Sequence, residues 1–298
     1  MSDEQPLLVV VGPTASGKSA LALRIAEQSG GEIVSADSVQ VYRRFDIGSG
    51  KPAADERARV PHHLVDVAEP AEPMDAARWA ELAERAIADI RGRGRVPIVC
   101  GGTFLWVRAL LLGLVPAPPA DEAIRARHRA TAESAGRGAL HAELARVDPA
   151  AAARLAPNDF VRVSRALEVY ELTGKPLSAW HESHGFRARR HPARLVGVKW
   201  DPDALSARIA ARARAMLEAG LVDEVRGLLR DGYGECRAMG SVGYRQVADA
   251  LARGDVDPVA VLDEIVRATR IFARRQRTWL RDEDVTWLDP GAARSFAG

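Results

Sequence analysis

The chain has 298 residues, a formal net charge of +2 and 47% hydrophobic residues, enough to bury a sizeable core in one large domain or two small ones. Its apolar runs are too short to span a bilayer. The opening MSDEQP lacks a signal-peptide pattern, and Cys100 and Cys236 make neither a disulfide framework nor a zinc pair. The expectation is a soluble cytoplasmic protein with no membrane partner.

LLVVV (7–11) predicts a buried parallel strand, and SALALRIAEQ predicts the helix that follows. Between them GPTASGKS matches the phosphate loop G-x-x-x-x-G-K-[ST]. Gly12, Pro13, Thr14, Ala15, Ser16, Gly17, Lys18 and Ser19 are therefore candidate ligand-binding residues. Loop N–H groups converge on phosphate oxygens at a helix N-terminus. Gly12 and Gly17 allow the turn, Lys18 supplies a point charge and Ser19 can hold Mg²⁺. The loop does not say whether the ligand is ATP or another diphosphate.

EIVSA (32–36) predicts a second strand ending at Asp37. An ATPase pairs its loop with an apolar strand that ends in a metal-binding acid. Asp37 and Asp66 are the candidates, and neither sits in an apolar run followed by Asp-Glu, so ATP hydrolysis is weakly supported. DSVQVYRRFDIGSGKP (37–52) brings Asp37, Ser38 and Gln40 toward the loop. Asp37 can hold metal, accept a proton or cap a turn. Gln40 carries donor and acceptor atoms that suit a nucleobase edge, and GSGK (48–51) reads as a turn. His62, His63 and Asp66 hint at metal, but adjacent strand side chains point to opposite faces, so no joint site is expected.

Residues 75–91 predict an amphipathic helix, with Trp79, Leu82, Ala86 and Ile90 at helical spacing. RVPIVCGGT (95–103) is strand then turn, and TFLWVRALLLG opens another helix. Strand–helix alternation with phosphate chemistry at a strand's C-terminal end indicates an α/β parallel sheet. PAPPA (116–120) breaks the pattern, and residues 121–185 look helical. RLVGVKW (194–200) returns to strand. DPDALSARIAARARAML then opens a long helix, with Asp201 as cap and Pro202 in the first turn. The predicted organisation is a core of residues 1–118 and 196–298 interrupted by a helical insertion, 119–195.

Residues 119–199 carry 14 basic and 9 acidic side chains, whereas both flanks are slightly acidic. IVRATRIFARRQRTWLR (265–281) holds six arginines and no acid. Arg270, Arg274, Arg277 and Arg281 share one helical stripe, suited to a phosphate-tracking face or to a solvated helix. The tail GAARSFAG is expected to fray.

GPTASGKS, SADSVQVYRRFDIGSGKP, PHHLVDV, GGTFLWVRALLLGL, NDFVRVSRALEVYELTGKP, SVGYRQ and TRIFARRQRTWLR run in order through residues 12–281. Together they resemble the bacterial tRNA dimethylallyltransferases, also called tRNA isopentenyltransferases. The resemblance implies a P-loop, nucleotide-kinase-like α/β core with an inserted helical domain that closes over the tRNA anticodon stem-loop. It implies a monomer whose loop holds dimethylallyl diphosphate and hydrolyses no ATP. The acceptor it implies is N6 of the adenosine adjacent to the anticodon on its 3′ side, flipped out of its stack.

Roles follow from that likeness. Asp37 orients N6 and takes its proton. Lys18 and the loop amides stabilise the leaving diphosphate, with Ser19 and Mg²⁺ adding to this. Arg208 and Arg212, four residues apart on one helical face, clamp the same group. Thr103 contacts the diphosphate or bridging oxygen, caps its helix, or does both. Contact with tRNA is implied for Asp37, Ser38, Val39, Gln40, Thr103 and Arg125. It is implied also for Val161, Arg162, Val163, Ser164 and Arg165, and for Ser241, Val242, Gly243, Tyr244, Arg245 and Gln246. Tyr244, Arg245 and Gln246 are read as offering stacking and hydrogen bonding.

The chain departs from the family pattern at Trp106, where a tyrosine is expected in a pocket wall, at Ser49-Gly50 in place of Thr-Ala, and at Ser19 in place of Thr. Three other readings compete. An adenylate isopentenyltransferase acting on a free nucleotide leaves the basic insertion unexplained. A nucleotide kinase would need a lid arginine pattern, which is not identified. A non-catalytic RNA-binding module leaves Asp37 and Thr103 without a chemical role.

Overall fold

The computed structural model describes residues 5–184, 190–254 and 256–296. It divides into two compact units, one within residues 1–111 and 191–298, the other within 112–190.

The first unit begins β1 (Leu7–Val11), α1 (Lys18–Ser29), β2 (Glu32–Ser35), α2 (Ala54–Arg59), β3 (His62–His63), α3 (Ala76–Gly92), β4 (Pro97–Gly101) and α4 (Phe104–Leu112). The second unit is helical: α5 (Glu122–Ala135), α6 (Arg137–Val147), α7 (Pro149–Ala152), α8 (Phe160–Thr173) and α9 (Leu177–His184). The first unit resumes with β5 (Ala193–Val198), α10 (Pro202–Glu218), α11 (Leu221–Arg230), α12 (Tyr244–Arg253), α13 (Pro258–Leu280), β6 (Val285–Leu288) and α14 (Pro290–Ser295).

Six parallel strands form one sheet in the order β3-β2-β4-β1-β5-β6. The central strands are covered on both faces, which explains their unbroken apolar runs. Val10 lies opposite Cys100 on one side and Val196 on the other. In register, β1, β2 and β4 end together. The phosphate loop, Asp37 and Thr103 therefore all leave the sheet along one carboxyl edge, where ligands of open parallel sheets bind. The Ala36 N–H donates to Cys100 O at 2.8 Å and Thr103 N–H to Ala36 O at 3.1 Å. A Cβ at Gly101 would lie 2.1 Å from Ala36 O, so only glycine permits this approach.

Three expectations need correction, and one strand is unannounced in the sequence. The buried stripe of α3 is Ala76, Trp79, Ala80, Ala83, Ile87 and Ile90, with Leu82 and Ala86 on its shoulder. Residues 193–195, assigned from sequence to the helical insertion, belong to β5, whose Ala193 pairs with Leu7. The VTWL segment forms the edge strand β6, which carries no clear sequence signal because it is short and half exposed. The tail through Ser295 is helix α14 rather than frayed chain: Ala293 is buried, and its carbonyl accepts from Arg24. Residues 297 and 298 of that tail lie outside the described residues, as do the first four of MSDEQP.

The helical unit has its own core, in which Leu140, Leu144, Val163, Ala166 and Leu167 are almost fully buried. Glu168 is also fully buried there. Burial alone would push its carboxyl up. Arg125, Arg165 and the Asp121 N–H outweigh that and hold it below its ordinary range.

Candidate functional site

A cavity of about 500 Å³ opens at the carboxyl edge of the sheet. Lys18, Asp37 and Thr103 line it from the strand ends, and α10 and α13 close over it with Arg212 and Gln276 among their lining residues.

The phosphate loop turns with Gly12 at φ 150, Ala15 at φ 63 and Gly17 at φ 89. A Cβ at Gly12 would meet Ser16 Oγ at 2.8 Å. The loop is gripped from its outer side: Trp200 Nε1 donates to Ser16 O and Arg208 Nε to Ala15 O, both at 2.8 Å. The Arg208 guanidinium stacks 4.4 Å from the Trp200 ring centroid. Arg208 thus braces the loop's back, whereas Arg212, one turn on, faces the cavity. Ser19 is exposed at the head of α1 and lines the cavity.

Burial lowers the Lys18 ammonium from its ordinary value, with Cys100 and Asp37 pulling the other way. Burial likewise lowers the Arg212 guanidinium, opposed by Asp37. Arg212 is an exposed residue overall, and its guanidinium crosses Gly50, donating to Ser49 O at 3.4 Å. A Cβ at Gly50, whose φ is +61, would lie 2.3 Å from Arg212 Nη2. Lys18 and Arg212 face the cavity beside the carboxylate of Asp37, and two cations against one carboxylate make it receptive to an anion. The Cys100 thiol is pushed up to about 11 by burial and is inert packing.

Asp37 Oδ1 accepts the Val39 and Gln40 N–H groups at 2.9 and 3.2 Å. One oxygen therefore caps the turn. Ser38 N–H donates to Thr103 Oγ1 at 3.0 Å. Thr103 stands at the N-cap position of α4, but its hydroxyl serves the neighbouring loop instead of its own helix. Gln40, expected to read a base edge, is engaged within the protein. Its Nε2 donates to Gly50 O at 3.0 Å, and its Oε1 accepts from Ser35 Oγ at 3.1 Å.

The segment 241–246 also departs from expectation. Ser241, Val242 and Gly243 line the cavity, and Arg245 is exposed. Tyr244 is fully buried, its ring 4.8 Å from that of Phe45 and its hydroxyl donating to Glu224 at 2.5 Å. It packs the wall and cannot stack on a base. Burial, reinforced by Glu224, raises its phenol above the ordinary value. Gln246 Oε1 accepts the Gly243 N–H at 2.8 Å and so caps α12.

In the helical unit, Val161 is 75% exposed, while Val163 and Ser164 are buried. Ser164 Oγ meets His128 Nδ1 at 2.9 Å. Side chains at 163 and 164 therefore cannot reach an RNA. Arg162 is exposed and pairs with Asp159 at 2.8 Å. Arg125 and Arg165 both pair with Glu168.

Trp106, expected in a pocket wall, is a core residue stacked on Trp79 with centroids 5.3 Å apart. Asp66 is no metal ligand, because Lys51 and Arg57 hold its carboxylate. His63 turns to Glu32 at 2.7 Å and His62 to Val60 O at 2.8 Å, so the pair forms no joint site. Arg270, Arg274 and Arg277 of α13 and Arg281 at its C-cap do line one groove, with Trp200 and Trp287.

Sequence reasoning missed Gln276 and Glu224. Gln276 touches both the phosphate loop and the turn after β4. Glu224 accepts the Ile47 N–H at 2.8 Å and the Tyr244 hydroxyl. The one signal for Gln276 was an uncharged polar residue inside an arginine-rich segment.

Two family models match the chain: IPP transferase over residues 40–283 and isopentenyl transferase over residues 5–64. A tRNA dimethylallyltransferase of Sorangium cellulosum is 66% identical over 282 residues, 95% of this chain and 90% of that protein. One from Anaeromyxobacter dehalogenans is 52% identical, covering 95% of each. The crystal structure of the full-length tRNA isopentenylpyrophosphate transferase from Bacillus halodurans superposes with a TM-score of 0.69 at 38% identity, covering 96% of this chain and 90% of that one. A eukaryotic dimethylallyltransferase acting on tRNA superposes with a TM-score of 0.81 at 26% identity, covering 96% and 74%.

Proposed function

The chain belongs to the IPP transferase family, and from that membership we propose that its cavity binds dimethylallyl diphosphate together with one flipped adenosine of a tRNA anticodon loop. The reaction is transfer of a dimethylallyl group to a tRNA adenosine. The observation that carries the site reading is the convergence of Lys18, Asp37 and Thr103 on one cavity.

The allylic C–O bond breaks as the diphosphate leaves, and a C–N bond forms to N6, which gives up a proton. Lys18, Arg212 and the loop N–H groups stabilise the charge that grows on the leaving diphosphate. Asp37 orients N6 and takes its proton, its second oxygen being the one not engaged by the turn. Thr103 accepts the Ser38 N–H, which leaves its hydroxyl proton free to donate to a diphosphate oxygen. Among the described residues no group of three or more His, Cys, Asp or Glu side chains can hold a metal ion. The donors present suit Mg²⁺, which keeps its waters and binds through substrate phosphates; Ser19 would hold it with the diphosphate. When bound, it neutralises charge on the leaving group.

The same reading makes the protein a monomer that works in the cytoplasm. No helix among the described residues is long and apolar enough to cross a membrane.

A mass-resolved assay tests the proposal. Purified protein, Mg²⁺ and dimethylallyl diphosphate are offered unmodified tRNA in one tube and AMP in another, without ATP. The expected result is a prenyl mass gain on tRNA adenosine alone. A gain on AMP alone, or ATP consumption without any gain, would overturn it.

A further inference from the structure

We infer that Gln276 is a positioning residue that sets the spacing between the diphosphate cradle and the base that receives the N6 proton. The inference rests on the reaction proposed above.

Gln276 lies on α13 and is only 8% exposed. Its Oε1 accepts the Thr14 N–H at 2.8 Å, and its Nε2 donates to Gly102 O at 3.0 Å. Thr14 sits inside the phosphate loop. Gly102 immediately precedes Thr103, whose hydroxyl accepts the N–H of Ser38, the neighbour of Asp37. One unbroken series of contacts thus runs from the leaving-group site through Gln276 and Thr103 to the general base. No other described side chain is hydrogen-bonded to both loops.

The chemistry of the side chain is specific. One half-buried N–H and one carbonyl are satisfied by the same group, and near neutral pH a primary amide offers the acceptor and the donor together without a charge. A hydrocarbon of equal length would leave both backbone groups unpaired. A carboxylate would place negative charge against the Gly102 carbonyl. Space is equally restricted, since a Cβ at Gly102 would lie 2.4 Å from Gln276 Nε2. The Thr14 N–H is committed to Gln276 and the Ser16 N–H to Pro13 O at 3.2 Å, and Pro13 has no N–H, so Thr14 is a strut of the loop and phosphate is left to the amides from Ala15 and from Gly17 onward.

The location of Gln276 in an arginine-rich helix suggests RNA contact instead, and the two roles predict different kinetics. Gln276→Met and Gln276→Glu are compared with wild type for kcat, for KM of tRNA and for KM of dimethylallyl diphosphate, with thermal melts in parallel. A brace predicts that kcat falls about 10- to 100-fold in both variants near neutral pH, with KM for tRNA changed less than about twofold. The glutamate variant adds a second readout. Protonated, its acid group again offers one donor to Gly102 O and one acceptor to Thr14 N–H. Its activity relative to wild type should therefore recover as pH falls through its carboxyl pKa, which burial raises. Lys18, Asp37, Arg212, Glu56, His62, Cys100, Arg237 and Arg275 also line the cavity, and taking the ratio to wild type at each pH removes the titrations common to both proteins.

Unchanged kcat in the methionine variant would overturn the brace. A raised KM for tRNA with kcat intact would assign Gln276 to the RNA. A glutamate variant with no recovery at low pH would also count against it, and that variant decides the matter if the methionine variant does not fold. Failure of wild type to prenylate tRNA would sink the reaction itself, which is a separate result.

Discussion

The Ser38 N–H donates to Thr103 Oγ1 at 3.0 Å, so the loop that carries Asp37 is tied to the turn after β4. Because β2 and β4 are neighbouring parallel strands that end in register at Ser35 and Cys100, this bond spans two chain exits that the sheet has already brought together. It fixes the backbone of the Asp37 turn while leaving one carboxylate oxygen for chemistry.

Asp37→Asn is consequently the cleaner test of the general base. Asparagine keeps an oxygen for the Val39 and Gln40 N–H groups, so the turn survives while the basic group is lost. Turnover should fall about 10²- to 10⁴-fold, with the melting temperature and tRNA affinity close to wild type. Asp37→Ala removes the turn's acceptor as well and should also lower the melting temperature. Full activity in the asparagine variant would show that the proton goes elsewhere.

Tyr244→Phe tests packing against base stacking. Glu224 retains the Ile47 N–H when the phenol is gone, so the cost should be about 1 kcal/mol of stability, read by denaturant unfolding. KM for tRNA should not move. A raised KM with unchanged stability would mean that Tyr244 leaves its buried site to meet the RNA.

Arg162→Ala probes the helical unit. Asp159, with which Arg162 pairs, is three residues away at the N-cap of α8 and keeps the Arg162 N–H when the side chain is removed, and an exposed arginine in such a pair contributes little to stability. The melting temperature should hold while tRNA binding weakens and the slope of log affinity against log salt shrinks by about 1. Dimethylallyl diphosphate should bind as before. Equal weakening of both ligands would contradict an RNA role.

Glu32 is 3% exposed and sits between Arg93 and His63. The Arg93 guanidinium first, and then His63, hold its carboxyl down to about 2 against burial, which opposes them. A depressed folded value means that its contribution is fully present above the unfolded value, near 4.5, and is lost as pH falls toward 2. Thermal melts of wild type should decline through that window, and Glu32→Gln should flatten this part of the acid limb. Parallel declines in the two proteins would remove Glu32 as a cause.

Local signals in the chain carried much of the architecture. A phosphate loop is a contiguous device, so GPTASGKS announced a strand, a turn and a helix without help from the rest of the molecule. The apolar runs of β1, β2, β4 and β5 mark a parallel sheet because strands covered on both faces need no polar alternation. The position of Asp37 and Thr103 just past two of those strands then placed them on one edge.

Long-range partnership and burial were not legible in the same way. Thr14 and Gln276 are 262 residues apart, and nothing near either position states that they meet. Gly50 reads as an ordinary turn residue until Arg212 is seen to cross it. Tyr244 and Trp106 are aromatic residues whose use depends on which face of a helix turns inward, and short helices such as α4 and α12 offer too few turns to declare it. The sequence by itself determined the kind of ligand cradle and the strands that present it, because those depend on neighbours along the chain. Only the tertiary structure decided which side chains reach the cavity and which hold its walls, because hydrogen bonds and packing are set by distance in space.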